Sequence, residues 1–239
     1  MWLLSNKISV IESGLLEGFR DCHCHLMPGV DDGVQEMDEA MLILEQWESL
    51  GVKEVWMTPH IMEDIPNEAG SLRNKFEDVT AFFIGNIKLH LAAEHMMDGQ
   101  FVRRLEKNDV MPIGKGRDQL LVETSYYTPP MNMTHIIEQV KARGYEPILA
   151  HPERYLYMDK MDYRRWKQRG VLFQLNVPSL VGAYGPEVRR KADWLLKEDM
   201  YDYCGTDTHS IDQVRMFLNS EISKKIVKKV KLISDNQRL

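Results

Sequence analysis

Histidine, aspartate and glutamate recur in this sequence as short groups, each closing an apolar run. They are His23-Cys24-His25 with Asp31-Asp32-Gly33, Thr58-Pro59-His60, Ala93-Glu94, Val122-Glu123, His151-Pro152-Glu153-Arg154 and Asp207-Thr208-His209. Imidazole and carboxylate together are the donors that divalent ions of the Zn, Fe and Mn type take. His23 and His25 lie two apart, so on an extended strand both point to one side and can grip one ion. Glu94 and Glu123 end apolar runs at a depth where an unpaired carboxylate is costly, and a cation removes that cost. Taken singly, His60, His151 and His209 are ordinary polar residues; the set is the signal.

Other reactive types fall outside this pattern. His90 is in mid-run, His95 follows Glu94 and so faces the other way, and His135 sits at a helix start, which makes all three structural. Cys22 and Cys24 alternate with the histidines and are expected on the packing side, while Cys204 reads as core. Met96 and Met97 read as packing material.

Positioning such a set requires elements that converge. Seven short apolar runs are expected as strands, at Phe19 to Cys24, Glu54 to Thr58, Lys88 to Ala93, Gln119 to Glu123, Pro147 to Ala150, Val171 to Asn176 and Asp202 to Thr206. They alternate with stretches of helical period, which predicts a parallel α/β fold. Met37, Ala40, Met41, Leu44 and Trp47 make one helix with Gly51 at its stop. Leu72, Phe76, Val79 and Phe83 make a second with Ser71 as its cap. Ile136, Ile137 and Val140 mark a third before Gly144, and Pro186 opens another through Val188, Ala192, Leu195 and Leu196. A last helix is expected from Val214 to Val230, its lysines 224, 225, 228, 229 and 231 forming a solvated face. The stretch from Ile61 to Gly70 is a candidate lid. In a parallel barrel the carboxyl ends of the strands share one mouth, and six of the seven strands deliver a ligand-type side chain there.

Composition narrows the classes. The 239 residues are 44% hydrophobic and 28% charged, as in an ordinary soluble globule, with no linker or repeat, so one domain over 1–239 is expected. Thirty Lys and Arg against 36 Asp and Glu give a formal charge of −6 and no basic stripe, which disfavours nucleic acid. Three cysteines make no disulfide framework, and a reducing cytoplasm is the natural setting. Met1 to Lys7 is too short in its apolar run for a signal-peptide core, and no run of about 18 apolar residues is present to insert in a membrane.

The ordered series His23-Cys24-His25, Val30-Asp31-Asp32-Gly33, Thr58-Pro59-His60, Ala93-Glu94, Glu123, Ala150-His151-Pro152-Glu153-Arg154-Tyr155 and Asp207-Thr208-His209 resembles the metal-dependent protein-tyrosine phosphatases of bacterial capsule and exopolysaccharide loci. These lie within the polymerase-and-histidinol-phosphatase (PHP) superfamily. The likeness covers roughly residues 20 to 210; Ser210 departs from it, standing where Asn is frequent. It implies a distorted (β/α)7 TIM-like barrel holding about three divalent ions of the Mn, Fe or Zn type. By that likeness His23, His25 and Asp207 hold one ion, Glu94 bridges to a second on Glu123 and His151, and Asp32, His60 and His209 hold a third. The likeness further implies Arg154 as the phosphate-binding residue, acting with His151 and Asp207 in catalysis, with Arg215 as the candidate for a second basic contact.

The implied reaction is hydrolysis of protein phosphotyrosine, on the tail of a membrane tyrosine kinase of polysaccharide export, by attack of a metal-activated hydroxide in line at phosphorus. No cysteine is followed by five residues and then Arg, so the thiol-based alternative fails on spacing. Asp207, Asp32 or a mouth histidine could protonate the leaving phenolate. Tyr126, Tyr127, Tyr155 and Tyr157 could line an aromatic rim. Two other readings share the ligands: a small-molecule phosphatase such as histidinol phosphatase, and a catalytically silent metal-binding regulator of a kinase.

Overall fold

The computed structural model describes residues 7–239. Met1 to Asn6, most of the segment read as too short for a signal-peptide core, lie outside the described residues. The strands are β1 (Lys7–Ser9), β2 (Arg20–Cys24), β3 (Glu54–Met57), β4 (His60–Ile61), β5 (Lys88–Leu91), β6 (Glu94–Met96), β7 (Gln119–Glu123), β8 (Glu146–Ala150), β9 (Leu172–Asn176), β10 (Tyr203–Gly205) and β11 (Glu221–Ser223). The helices are α1 (Met37–Ser49), α2 (Ala69–Phe82), α3 (Phe101–Glu106), α4 (Met133–Ala142), α5 (Lys160–Gln168), α6 (Gly185–Lys197), α7 (Ile211–Asn219) and α8 (Lys224–Asn236).

Each of the seven expected runs contains a strand, and the fold is mixed α/β with parallel strands. β2, β3 and β5 form one parallel sheet; a second runs in the order β10-β9-β8-β7-β6-β4. The chain passes from the first sheet to the second twice, between β3 and β4 and between β5 and β6. Pro59, with no N–H to give a ladder, stands at the first of these breaks. At the far edge the second sheet returns to β2, where Asp207 N donates to His23 O at 2.7 Å and His25 N to Thr208 O at 2.9 Å. Gly205 permits that approach, since a Cβ there would stand 2.7 Å from His23 Cβ.

The helices cover the outside. Ala40, Ile43, Leu44 and Trp47 bury one face of α1, and Gly51 in the left-handed region (φ 88°) ends the turn after it. α2 starts two residues before the expected cap, with Glu68 in the cap position and Ser71 in the first turn. The expected helix from Val214 to Val230 is instead two helices. Ile222 leaves the helical path to lie buried in β11, which pairs antiparallel with β1, and the Ser223 side chain then caps α8 by accepting from Ile226 N. Helical period alone missed α3 and α5. The second carries a cap signal, because the Asp159 side chain accepts from Met161 N and Asp162 N. The stretch from Ile61 to Gly70 is tied down: Asn67 Nδ2 donates to Val30 O and His60 O, and Arg104 Nη1 to Asn67 O.

Two apolar clusters result. Cys22, Trp56, Ala92, Ile113, Leu121, Ile148, Ala150 and Tyr203 pack in the smaller one, and the helix-backed core is the larger. The two strand cysteines do not share a side as expected. An irregularity in the β2–β3 register between Asp21 and Cys24 puts Cys22 in the smaller cluster and Cys24 in the larger.

Candidate metal centre

Because the strands run parallel, their C-terminal ends lie together, and the nine residues His23, His25, Asp32, His60, Glu94, Glu123, His151, Asp207 and His209 meet there. His23 Nε2 stands 3.0 Å from His25 Nε2, 3.1 Å from Glu94 Oε2 and 3.4 Å from Asp207 Oδ1. His60 Nδ1 lies 3.0 Å from Glu123 Oε1 and 3.3 Å from Glu94 Oε2. His60 Nε2 and His209 Nε2 approach Asp32 Oδ1 at 3.4 and 3.6 Å. His151 Nε2 is 2.9 Å from Glu94 Oε1 and 3.9 Å from Glu123 Oε2. Seven of the nine are buried; His209 is partly open, and Asp32 lies at the rim with its side chain 65% exposed.

Donor atoms fall into three sets, each within 4.8 Å: His23, His25, Glu94 and Asp207; His60, Glu94 and Glu123; and His25, Asp32, His60 and His209. The division differs in two places from the one the resemblance implies: His60 rather than His151 completes the set of Glu94 and Glu123, and His25 also falls within reach of Asp32, His60 and His209. Donors bound at about 2.1 Å to one ion in tetrahedral or octahedral geometry stand about 3.0–3.4 Å apart, which fits the separations above. Glu94 Oε2, Glu123 Oε1 and His60 Nδ1 are buried and make no hydrogen bond, although they face one another. A shared cation satisfies all three.

The electrostatics point the same way. Burial alone would lower the His23 pKa, but Glu94 and Asp207 outweigh it and push it up to about 9. Burial would raise Glu94 and Asp207, yet the charge of His23, with other histidines, holds both well below the usual carboxylate range. The carboxylates thus favour positive charge at their centre, which a metal ion supplies as a proton would.

Local backbone serves the placement. His151 (φ 31°) and Asp207 (φ 51°) both occupy the left-handed region, costly for non-glycine residues and held here by surrounding bonds. Gly33 lets the loop after β2 lie against His25, since a Cβ would fall 2.2 Å from His25 O. Asp31 Oδ2 accepts from His25 Nδ1 at 2.8 Å and from His60 N at 3.0 Å, so this neighbour of Asp32 orients two members of the cluster.

Arg154 borders the cluster. Its guanidinium carbon lies 4.4 Å from the Tyr126 ring centre and 4.3 Å from that of Tyr184. The expected rim is thus partly met and partly different. Tyr126 is half-buried on Arg154 and Tyr127 is exposed, but Tyr155 is fully buried with its hydroxyl donating to Ala150 O, and Tyr157 contacts the Thr124 hydroxyl. Tyr184 carries no sequence signal of its own. Arg215 faces solvent on α7, paired with Asp212 at 3.0 Å. His95 is buried beside the cluster but fully engaged, between Leu121 O and Met111 N, and burial lowers its pKa to about 4. His90 lies 3.1 Å from Glu54 and stacks on Trp56, and all three cysteines are free and buried.

Similarity to known proteins follows the same stretch of chain. CapC of Staphylococcus aureus is 25% identical over 201 residues, 80% of this chain and 77% of its own length. CpsB of Streptococcus pneumoniae, named a tyrosine-protein phosphatase, is 24% identical over 236 residues, 91% of this chain and 96% of its own. YwqE of Bacillus subtilis, likewise so named, is 22% identical and covers 80% and 77%. A chain from the crystal structures of YwqE and CpsB, described as metal-dependent tyrosine phosphatases, superposes with a TM-score of 0.74 at 19% identity, covering 91% of this chain and 94% of that one. Residues 19–233 match the family described as capsular polysaccharide synthesis, CpsB/CapC, and the chain belongs to that family.

Proposed function

We propose that this chain is a metal-dependent protein-tyrosine phosphatase. The observation that carries the reading is the convergence of nine buried or rim donors with Arg154 at their border. Family membership and the names of its relatives support it. The strand series is read as a distorted (β/α)7 barrel working as one domain over 1–239.

The donor set fits about three divalent ions of the Mn, Fe or Zn type. His23, His25, Glu94 and Asp207 would hold one, Glu94 and Glu123 with His60 or His151 a second, and Asp32 and His209 with His60 a third; the one free lone pair of His25, on Nε2, belongs to the first. When bound, such ions supply a nucleophilic water at neutral pH and neutralise phosphoryl charge. The Arg154 fork donates to phosphoryl oxygens, oriented by Tyr126 and Tyr184 on its two faces. Asp207 and His151 hold the positions from which in-line displacement breaks the bond between phosphorus and the phenol oxygen. A phenolate, with pKa about 10, leaves readily, so a proton from Asp207, Asp32 or a mouth histidine lowers the barrier only a little further.

The substrate is a tyrosine-phosphorylated protein, and the tail of a membrane tyrosine kinase of polysaccharide export suits a cytoplasmic enzyme of this family. Among the described residues no helix is long and apolar enough to cross a membrane.

The test sets a tyrosyl phosphopeptide beside histidinol phosphate, with Mn²⁺ added or chelator in excess. Preferred hydrolysis of the phosphopeptide, lost on chelation and regained with Mn²⁺, is expected. A large preference for histidinol phosphate, or no phosphomonoesterase activity in metal-loaded protein, overturns the reading.

A further inference from the structure

Six of the seven expected strands end in a histidine or a carboxylate; β9 ends in Gln174-Leu175-Asn176. Both amide side chains are fully buried, and both reach members of the cluster. Asn176 Nδ2 donates to Asp207 Oδ2 at 2.9 Å. Gln174 does more, because one oxygen serves two cluster residues.

The orientation of the Gln174 amide is fixed by two backbone groups of single polarity. His151 N–H, which can only donate, is 3.0 Å from Oε1, and the Leu175 carbonyl, which can only accept, is 2.7 Å from Nε2. Oε1 is therefore the acceptor, and His23 Nδ1, 3.0 Å from it, carries a proton. In the neutral ring that leaves the lone pair on Nε2, the atom that faces Glu94, Asp207 and His25. The same oxygen ties down the backbone of His151 in its left-handed conformation.

We infer that Gln174 is a positioning residue of the metal centre: its amide oxygen sets the tautomer of His23 and anchors His151. The inference rests on reading the cluster as a metal centre and is independent of the phosphatase activity. Outer hydrogen bonds of this kind hold a ligand ring in both rotation and tautomer, and their loss weakens metal binding without removing a donor.

The test uses the full chain, Zn²⁺ as the probe and two substitutions. Gln174→Met keeps length and bulk without the acceptor; Gln174→Glu keeps an acceptor for both donors. Zn²⁺ affinity is measured by competition with a chromophoric chelator, and the His23 imidazole is followed by ¹⁵N nuclear magnetic resonance in the Zn²⁺-loaded protein. Gln174→Met is expected to bind its tightest Zn²⁺ about 10- to 100-fold more weakly and to lose the slowly exchanging Nδ1–H signal. Gln174→Glu is expected to keep that signal and recover most of the affinity. A role in packing alone would lower the melting temperature of both variants and leave affinity and signal unchanged, which overturns the inference. Should Gln174→Met fail to fold, loss of the Nδ1–H signal in folded Gln174→Glu also overturns it. A wild-type chain that binds no Zn²⁺ removes the metal centre and this inference together. One that binds Zn²⁺ but leaves phosphotyrosine intact removes only the phosphatase reading.

Discussion

Arg154 Nη1 donates to Asp207 Oδ2 at 2.5 Å, while Asp207 Oδ1 faces His23 and His25 at 3.4 and 3.3 Å. One carboxylate thus joins the proposed phosphate-binding arginine to the donor cluster. Arg154→Ala is expected to lower kcat/KM for a tyrosyl phosphopeptide about 10²- to 10³-fold, the usual effect of removing one fixed donor to a developing anion. Arg154→Lys should restore only part, because an ammonium cannot present the planar fork. Steady-state kinetics with metal content measured in parallel checks this; unchanged kcat/KM in Arg154→Ala refutes the role.

A second prediction concerns Gly33. Its missing Cβ is what admits the 31–33 turn against His25, where an alanine methyl would overlap both His25 O and Cβ. Gly33→Ala is expected to cost about 1–3 kcal/mol, as overpacking usually does, and to lower the bound metal by displacing Asp31 and Asp32. Urea unfolding and elemental analysis read the two effects separately.

The cysteines give a third. Cys24 is fully buried, its Sγ donates to Trp56 O at 3.4 Å, and burial raises its thiol well above the usual range, so it is no thiolate nucleophile. Cys24→Ser is expected to keep most of the turnover while costing about 1–3 kcal/mol for the buried hydroxyl. A dead Cys24→Ser together with full activity in chelator would reverse the mechanism.

Acid stability provides a fourth. The His90 ring nitrogen, against the opposing effect of burial and with the help of Arg20, holds the Glu54 carboxyl at about 2, below its ordinary 4.5. A carboxyl lowered by folding adds stability that is complete above its unfolded pKa and fades as pH falls towards its folded one. The difference in unfolding free energy between wild type and Glu54→Gln should therefore be largest near neutrality and shrink as pH falls from 4.5 towards 2. A difference that stays constant through that range contradicts the assignment.

Much of this architecture was legible because strands alternate with helices and end in side chains that are expensive to bury unpaired. Glu94 and Glu123 stand out by type and place alone, while His60, His151 and His209 stand out only as members of the set. What stayed hidden depends on through-space partners. Ile222 reads as part of a helix until β1 offers its edge; Cys22 and Cys24 read as neighbours on one face until the irregularity in β2 separates them. Tyr184 has no signal, since its role comes from Arg154 lying against it. Gln174 and Asn176 look like ordinary amides because nothing in their spacing says that His23 and Asp207 are across from them.

The seam between β2 and the residues after β10 has a consequence for the order of events during synthesis. His23 and His25 leave the ribosome long before Asp207, and the contacts that join them span most of the chain. Pairings of such separation close late, after the local helices and their strands have formed. The cluster therefore comes together only after the strand that leads to Asp207 has been made, and the nascent chain carries its first two histidines, with Cys22 and Cys24 beside them, as an unfinished half-site until then.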